Sequence, residues 1–217
     1  MKDFKIVWSA RSECGPNRKK NEDTIFPPIS GSSKAPFKAA VCDGLGGHVN
    51  GDIASKIAAE TFSKKNTNLS QIISDANKNI LDFQKENPSS QGMGTTMTAI
   101  SINKDALMKI GHVGDSRCYV LSDRNLIKVT EDQNVPGYQN VLKQALGSNE
   151  KLNIQEVDFQ LQIGDVVFLC SDGLYNEVGE EYIKKKMQDG ISADTFVGEV
   201  LLLNPKDNVS AIVINLV

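Results

Sequence analysis

The sequence predicts an α+β fold built on antiparallel sheets. Two observations carry this: β-type runs and helical patterns are segregated along the chain, and turn residues separate many short β runs in its middle. The order reads strands, two helices, many strands, two helices, one strand. Such segregation argues against alternating βαβ units. At 217 residues the chain is long enough for one domain with a sizeable core, and no linker divides it, so residues 1–217 are expected to form a single domain.

The first strand is expected over Phe4 to Ala10. Gly15-Pro16-Asn17 reads as a turn and Thr24 to Phe26 as a second strand, and Pro27 to Pro36, rich in Ser, Gly and Pro, as a loop. Phe37 to Cys42 supplies the next strand and runs into Asp43-Gly44-Leu45-Gly46-Gly47-His48-Val49-Asn50-Gly51. Asp52 to Lys64 places Ile53, Ile57, Ala58 and Phe62 at helical spacing. A second apolar stripe, Leu69, Ile72, Ile73, Ala76, Ile80 and Phe83, stops at Asn87-Pro88.

Beyond Gly92-Met93-Gly94, runs at Thr96 to Ile102, Leu107 to Val113, Cys118 to Leu121 and Leu126 to Val129 predict a meander of antiparallel strands. Ile154 to Leu161 and Val166 to Cys170 add two strands. Helices are expected over Glu180 to Asp189 and Asp194 to Leu203, and a final strand over Val209 to Leu216.

Composition narrows the function classes. A net charge of −3 with scattered lysines gives no basic footprint for nucleic acid. The N-terminus lacks the apolar segment of a signal peptide, and no run reaches membrane-spanning length, so a cytoplasmic protein without a membrane role is expected. Cys14, Cys42, Cys118 and Cys170 lie far apart and read as free thiols of a reducing compartment.

Acids at strand ends carry the chemistry. Asp43 follows one apolar run, Asp115 another, and Asp172 a third; Asp207 precedes the last strand, and Glu22 and Asp23 precede the second. Asp is common in turns, so any one is unremarkable. Asp115 with Arg117 also fits an ordinary surface ion pair, Glu22-Asp23 a solvated face, and Asp207-Asn208 a helix-to-strand turn. Gathered at one end of the sheets, however, such acids repel by roughly 4 kcal/mol per pair at about 4 Å and an effective dielectric near 20. Raised pKa values or bound cations must relieve that. Oxygen ligands without Cys or His partners favour Mg²⁺ or Mn²⁺ over zinc, and Gly44 can add its carbonyl.

These residues resemble a known family. Arg18-x-x-Asn21-Glu22-Asp23, Asp43-Gly44-x-Gly46-Gly47-His48-x-x-Gly51, Gly92-Met93-Gly94-Thr95-Thr96, Gly114-Asp115-Ser116-Arg117, Cys170-Ser171-Asp172-Gly173-Leu174 and Asp207-Asn208 occur in the order found in the metal-dependent protein phosphatases of type 2C. The likeness spans Gly15 to Val217, and the Asp-Gly-x-Gly-Gly form looks like the bacterial branch.

The resemblance implies a four-layer αββα sandwich, two antiparallel sheets face to face with a helix pair outside each. It implies hydrolysis of phosphoserine and phosphothreonine in proteins by direct attack of a metal-bridging water, with two Mn²⁺ or Mg²⁺ ions and in bacterial members a third. It also implies phosphorylated proteins as partners, a cognate Ser/Thr kinase to oppose, and a monomer. On this reading Asp43 bridges both metals, Asp172 and Asp207 hold the first, and Glu22 with the Gly44 carbonyl the second. Asp23 orients a metal-bound water, Arg18 binds the phosphate, and Asp115 with Asp172 holds the third metal. Ser116 and Ser171 read as structural, because neither histidine has a triad-like context.

Two departures stand out. Leu45 occupies the place of a His that in many eukaryotic members is thought to protonate the leaving group, which leaves a metal-bound water or His48 as the acid. Only Glu131 to Gln144 fills the interval before Ala145-Leu146-Gly147 where family members carry a long flap. Other readings are a catalytically silent binding module and a hydrolase of small phosphate esters. The complete set of acids argues against the first, and the short flap leaves room for the second. The glycines argue against a dinucleotide site, since they lack G-x-G-x-x-G spacing and a βαβ context.

Overall fold

The structure is a computed structural model that describes residues 4–46, 50–148 and 150–217. Its elements in chain order are β1 (Lys5–Glu13), β2 (Asp23–Phe26), β3 (Gly31–Lys34), β4 (Phe37–Asp43), α1 (Gly51–Lys64), α2 (Leu69–Glu86), β5 (Met97–Ile102), β6 (Leu107–Val113), β7 (Arg117–Ser122), β8 (Asn125–Lys128), β9 (Asn134–Val135), β10 (Tyr138–Leu142), β11 (Gln155–Gln160), β12 (Val166–Cys170), α3 (Asp172–Gln188), α4 (Ala193–Leu201) and β13 (Val209–Leu216).

Strand alternation decides the layering. In β13, Ile212, Ile214 and Leu216 point into a core between the two sheets, while Val209, Ala211 and Val213 point outward to α3 and α4. In β4, Phe37, Ala39 and Val41 face that same inner core, while Ala40 and Cys42 pack under α1 and α2. A period of two with both faces apolar is what a strand covered on both sides requires. The result is an αββα sandwich, with sheet orders β3-β1-β13-β12-β7-β8 and β11-β6-β5-β4-β2, all antiparallel.

Helix ends follow from local chemistry. Asn68 caps α2 by accepting a bond from the Gln71 amide, and Ser192 caps α4 through Thr195. The α2 stripe expected from sequence is buried against β5 and β6, with Phe83 only partly covered.

Three expectations need correction. The predicted meander is two hairpins in different sheets: β5 pairs β6 in one, β7 pairs β8 in the other, and Gly114-Asp115-Ser116 carries the chain between them. The loop from Pro27 to Pro36 contains β3, an edge strand beside β1 that is polar because it buries little. The helix expected from Glu180 begins at Asp172. Gly179, at φ 73° and ψ 169°, interrupts its helical dihedrals and hides the first half from a periodicity reading. The short interval before Ala145 holds the small β9–β10 hairpin.

Candidate active site

The acids converge because of strand direction. The exits of β4, β6 and β12 and the entries of β2 and β13 lie at one end of the sandwich, which delivers Asp43, Asp115, Asp172, Asp23 and Asp207 there. Asp43, Asp115, Asp172, Asp207 and Arg18 line a single open cleft of about 690 Å³. Asp23 pairs with Asp43 across the β2–β4 ladder and is buried, as is Glu22. Their burial rules out the alternative of a solvated face for Glu22-Asp23.

Chain segments pack very closely around this cluster. A Cβ on Gly44 would stand 2.4 Å from the Gly51 carbonyl oxygen, and one on Gly15 would stand 1.9 Å from that of Asp207. Only glycine allows backbones to meet this tightly.

Burial, reinforced by the neighbouring acids, raises the carboxyl pKa values. Asp172 is pushed up to about 7 by burial and by the charges of Asp115 and Asp207. Asp23 rises to about 6, burial outweighing its hydroxyl partners Ser210 and Ser171. Asp43 lies well above its ordinary value through burial and the charges of Asp23 and Asp172. Burial also raises Asp115 and Glu22.

Asp207, Glu22, Asp115 and Asp172 have protein partners. Arg18 Nη2 donates to Asp207 Oδ2 at 2.5 Å, and its Nη1 lies 3.8 Å from Glu22 Oε2. Asn134, in the small hairpin, donates to Asp115 Oδ2 at 3.0 Å, and Asn176 to Asp172 Oδ2 at 3.3 Å. Among the described residues, no three His, Cys, Asp or Glu side chains stand in a metal-ligating arrangement. Asp43, Asp115, Asp172 and Asp207 share one cleft. Their chemistry nevertheless fits a hard divalent cation, since all are oxygen donors, and burial together with neighbouring carboxylates raises Asp43 and Asp172.

Arg117 does not pair with Asp115. It forms a fork with Asp132 at 2.6 Å and lies 3.6 Å over the Tyr175 ring, whose hydroxyl donates to the Asp115 carbonyl. Ser116 is buried against the Thr96 hydroxyl at 2.7 Å, in keeping with a structural part. Leu45 lines the cleft and offers no proton; His48 lies outside the described residues. Sequence reasoning missed Lys143, Lys206, Asn134 and Asn176. Only Asn176 had a signal, its i+4 spacing from Asp172, which depended on starting the helix at Asp172.

Comparison with known proteins decides the family. The Protein phosphatase 2C family profile matches residues 16–201. The chain belongs to the protein phosphatase 2C family. It is accordingly a metal-dependent serine/threonine phosphoprotein phosphatase. It is 30% identical over 208 residues to the Serine/threonine phosphatase stp of Listeria monocytogenes, covering 80% of this chain and 82% of that protein. The crystal structure of the Mycobacterium tuberculosis serine/threonine phosphatase PstP/Ppp superposes with a TM-score of 0.87 at 26% identity, over 97% of this chain and 98% of that one. A catalytic domain of PstP in complex with two manganese ions superposes at 0.84 with 27% identity, over 99% of each chain. No described helix of this phosphatase is long and apolar enough to cross a membrane.

Proposed function

We propose that this phosphatase, a single domain over residues 1–217, acts on phosphoserine and phosphothreonine side chains of cytoplasmic proteins as a monomer and opposes a Ser/Thr kinase. The observation that carries the site assignment is the set of four aspartates on one cleft with Arg18 among them. Asp43 would bridge two Mn²⁺ or Mg²⁺ ions. Asp172 and Asp207 would complete one site, and Glu22 with the Gly44 carbonyl the other. Asp115 with Asp172 would hold a third ion.

Bound divalent cations lower the pKa of water, supply the nucleophile and offset phosphoryl charge. The protein does the rest. Arg18 exchanges Asp207 for two phosphate oxygens, to which its planar fork is matched. Lys143 and Lys206, also lining the cleft, draw the dianion toward an otherwise acidic surface. Asp23, the register partner of Asp43, would orient the attacking water. Leu45 offers no proton at this wall of the cleft, which leaves a water held at the site, or His48, to protonate the leaving alkoxide.

Phosphothreonine peptides should be hydrolysed only with Mn²⁺ or Mg²⁺, and Asp43→Asn should abolish turnover. Turnover that survives thorough chelation would refute the assignment. The small β9–β10 hairpin leaves the cleft open, which favours small phosphate esters as a second substrate class. Rates on phosphopeptides exceeding those on phosphorylated metabolites would reject that second reading.

A further inference from the structure

Ser171 is the N-cap of α3, yet its side chain makes no capping bond, although Asn68 and Ser192 cap their helices. A serine in this position ordinarily satisfies one of the first free amides of the helix. Instead its hydroxyl donates to Asp23 Oδ2 at 2.8 Å, while its oxygen accepts from the Ser210 amide at 3.1 Å.

Ser210 Oγ aims at the same carboxylate oxygen from 2.6 Å and also lies 2.7 Å from Ser12 Oγ. A hydroxyl has one proton and an ionised carboxylate only accepts, so Ser210 donates to Asp23 and takes its own bond from Ser12. Asn21 Nδ2 donates to Ser12 Oγ at 2.7 Å, and Asn21 Oδ1 accepts from the Asp23 amide at 3.1 Å. The chain of bonds thus leaves Asp23 and returns to it. Ser171 and Ser210 are fully buried and belong to the six-stranded sheet side, whereas Asp23 starts a strand of the other sheet.

We propose that Ser171 and Ser210 are positioning residues for dephosphorylation. Reaching across the sandwich, they hold one oxygen of Asp23 so that the carboxylate keeps a single orientation beside Asp43. The proposal rests on the reading of Asp23 as the group that orients the attacking water. The serines act through Asp23 and touch neither substrate nor cation. Two hydroxyls on one oxygen fix a carboxylate rotamer that a single bond would leave free to turn, and they satisfy a buried group at the seam between two sheets.

The test uses the full chain loaded with Mn²⁺ and a phosphothreonine peptide. Ser171→Ala and Ser210→Ala should each lower kcat by about tenfold and leave KM within about twofold. Ser171→Thr, which keeps the hydroxyl, should restore kcat. Mn²⁺ affinity by calorimetry should stay within about twofold in Ser210→Ala, because no ligand is removed. In an Asp23→Asn background, adding Ser210→Ala should change kcat by less than about twofold, the non-additivity expected of residues acting as one unit. Two outcomes overturn the proposal: full kcat in the Ser171→Ala/Ser210→Ala double variant while Asp23→Asn is inactive, or a further tenfold loss in the Asp23→Asn background. Wild-type kcat in Asp23→Asn would instead remove the role of Asp23 itself, so the two failures are told apart.

Discussion

Asp23 and Asp43 are register partners in the β2–β4 ladder, two carboxylates side by side at the buried end of a sheet. Burial and then the charge of Asp23 push Asp43 well above its ordinary pKa. Like charges this close destabilise the metal-free fold and favour any ligand that cancels them. Asp43→Asn is therefore expected to raise the melting temperature of the chelated protein, at roughly 2–4 °C per kcal/mol of relieved repulsion. The same variant should show no Mn²⁺ binding by calorimetry and no turnover. A lower melting temperature in chelator would contradict this account of the cluster.

The pH dependence of metal protection follows from the same acids. Asp172 at about 7 and Asp23 at about 6 both sit above their ordinary value of 3.8. With folded pKa values raised, the native state binds more protons between the ordinary and the shifted values. Stability of the metal-free protein then contains a penalty that is fully present above about pH 7 and is relieved as pH falls toward 4, by about 1.4 kcal/mol per unit and per proton. Cations relieve it too, in competition with protons. The rise in melting temperature on adding Mn²⁺ should be largest near pH 8 and shrink steadily toward pH 5. An increment independent of pH would remove these carboxylates from the binding step.

Much of this was legible in the sequence, and the exceptions have physical causes. Strands buried on both faces, such as Val209–Leu216, announce themselves as apolar runs, and α2 as a one-sided stripe. β3 does not, because an edge strand of Gly, Ser and Lys has little apolar surface to bury and pairs with β1 through its backbone. The first half of α3 was hidden by Gly173 and Gly179, residues that read as breakers. Motif order picked out Asp43, Asp115, Asp172 and Asp207, which the structure brings to one cleft. Their partners were out of reach, since Arg18 with Asp207 and Asn134 with Asp115 are contacts set by packing over long sequence separations.

His112 supplies a prediction of opposite sign. Its ring is fully buried, with Nε2 3.1 Å from the Glu131 carbonyl and Nδ1 2.8 Å from the Thr98 hydroxyl. Burial pulls its pKa from 6.5 down to about 4. Here the unfolded chain binds the extra proton, so the contribution of the neutral ring is complete above pH 6.5 and is lost as pH falls toward 4. His112→Gln removes that slope. Urea unfolding at pH 7 and pH 5 should show a fall in stability smaller in the variant than in the wild type by about 1–2 kcal/mol. Equal falls would mean that His112 is protonated, or exposed, in the native state.

The packing of glycine against the last acid gives a contrast within one protein. A Cβ on Gly173 would stand 2.1 Å from the Asn208 carbonyl oxygen and 3.0 Å from Asp207 Cβ. Backbone cannot yield as a flexible side-chain tip does, so Gly173→Ala must push the Asp207 segment away from Arg18 and the cleft. Gly198, inside α4, meets nothing nearer than Arg11 Nη1 at 3.5 Å, and alanine there only gains helix propensity. Gly198→Ala should therefore add about 0.5–1 kcal/mol of stability with unchanged turnover. Gly173→Ala should weaken Mn²⁺ binding by tenfold or more (about 1.4 kcal/mol) and lower stability as well. Both are read by calorimetry and urea unfolding on the same preparations. Retention of full Mn²⁺ affinity in Gly173→Ala would show that Asp207 does not depend on this contact for its place on the cleft.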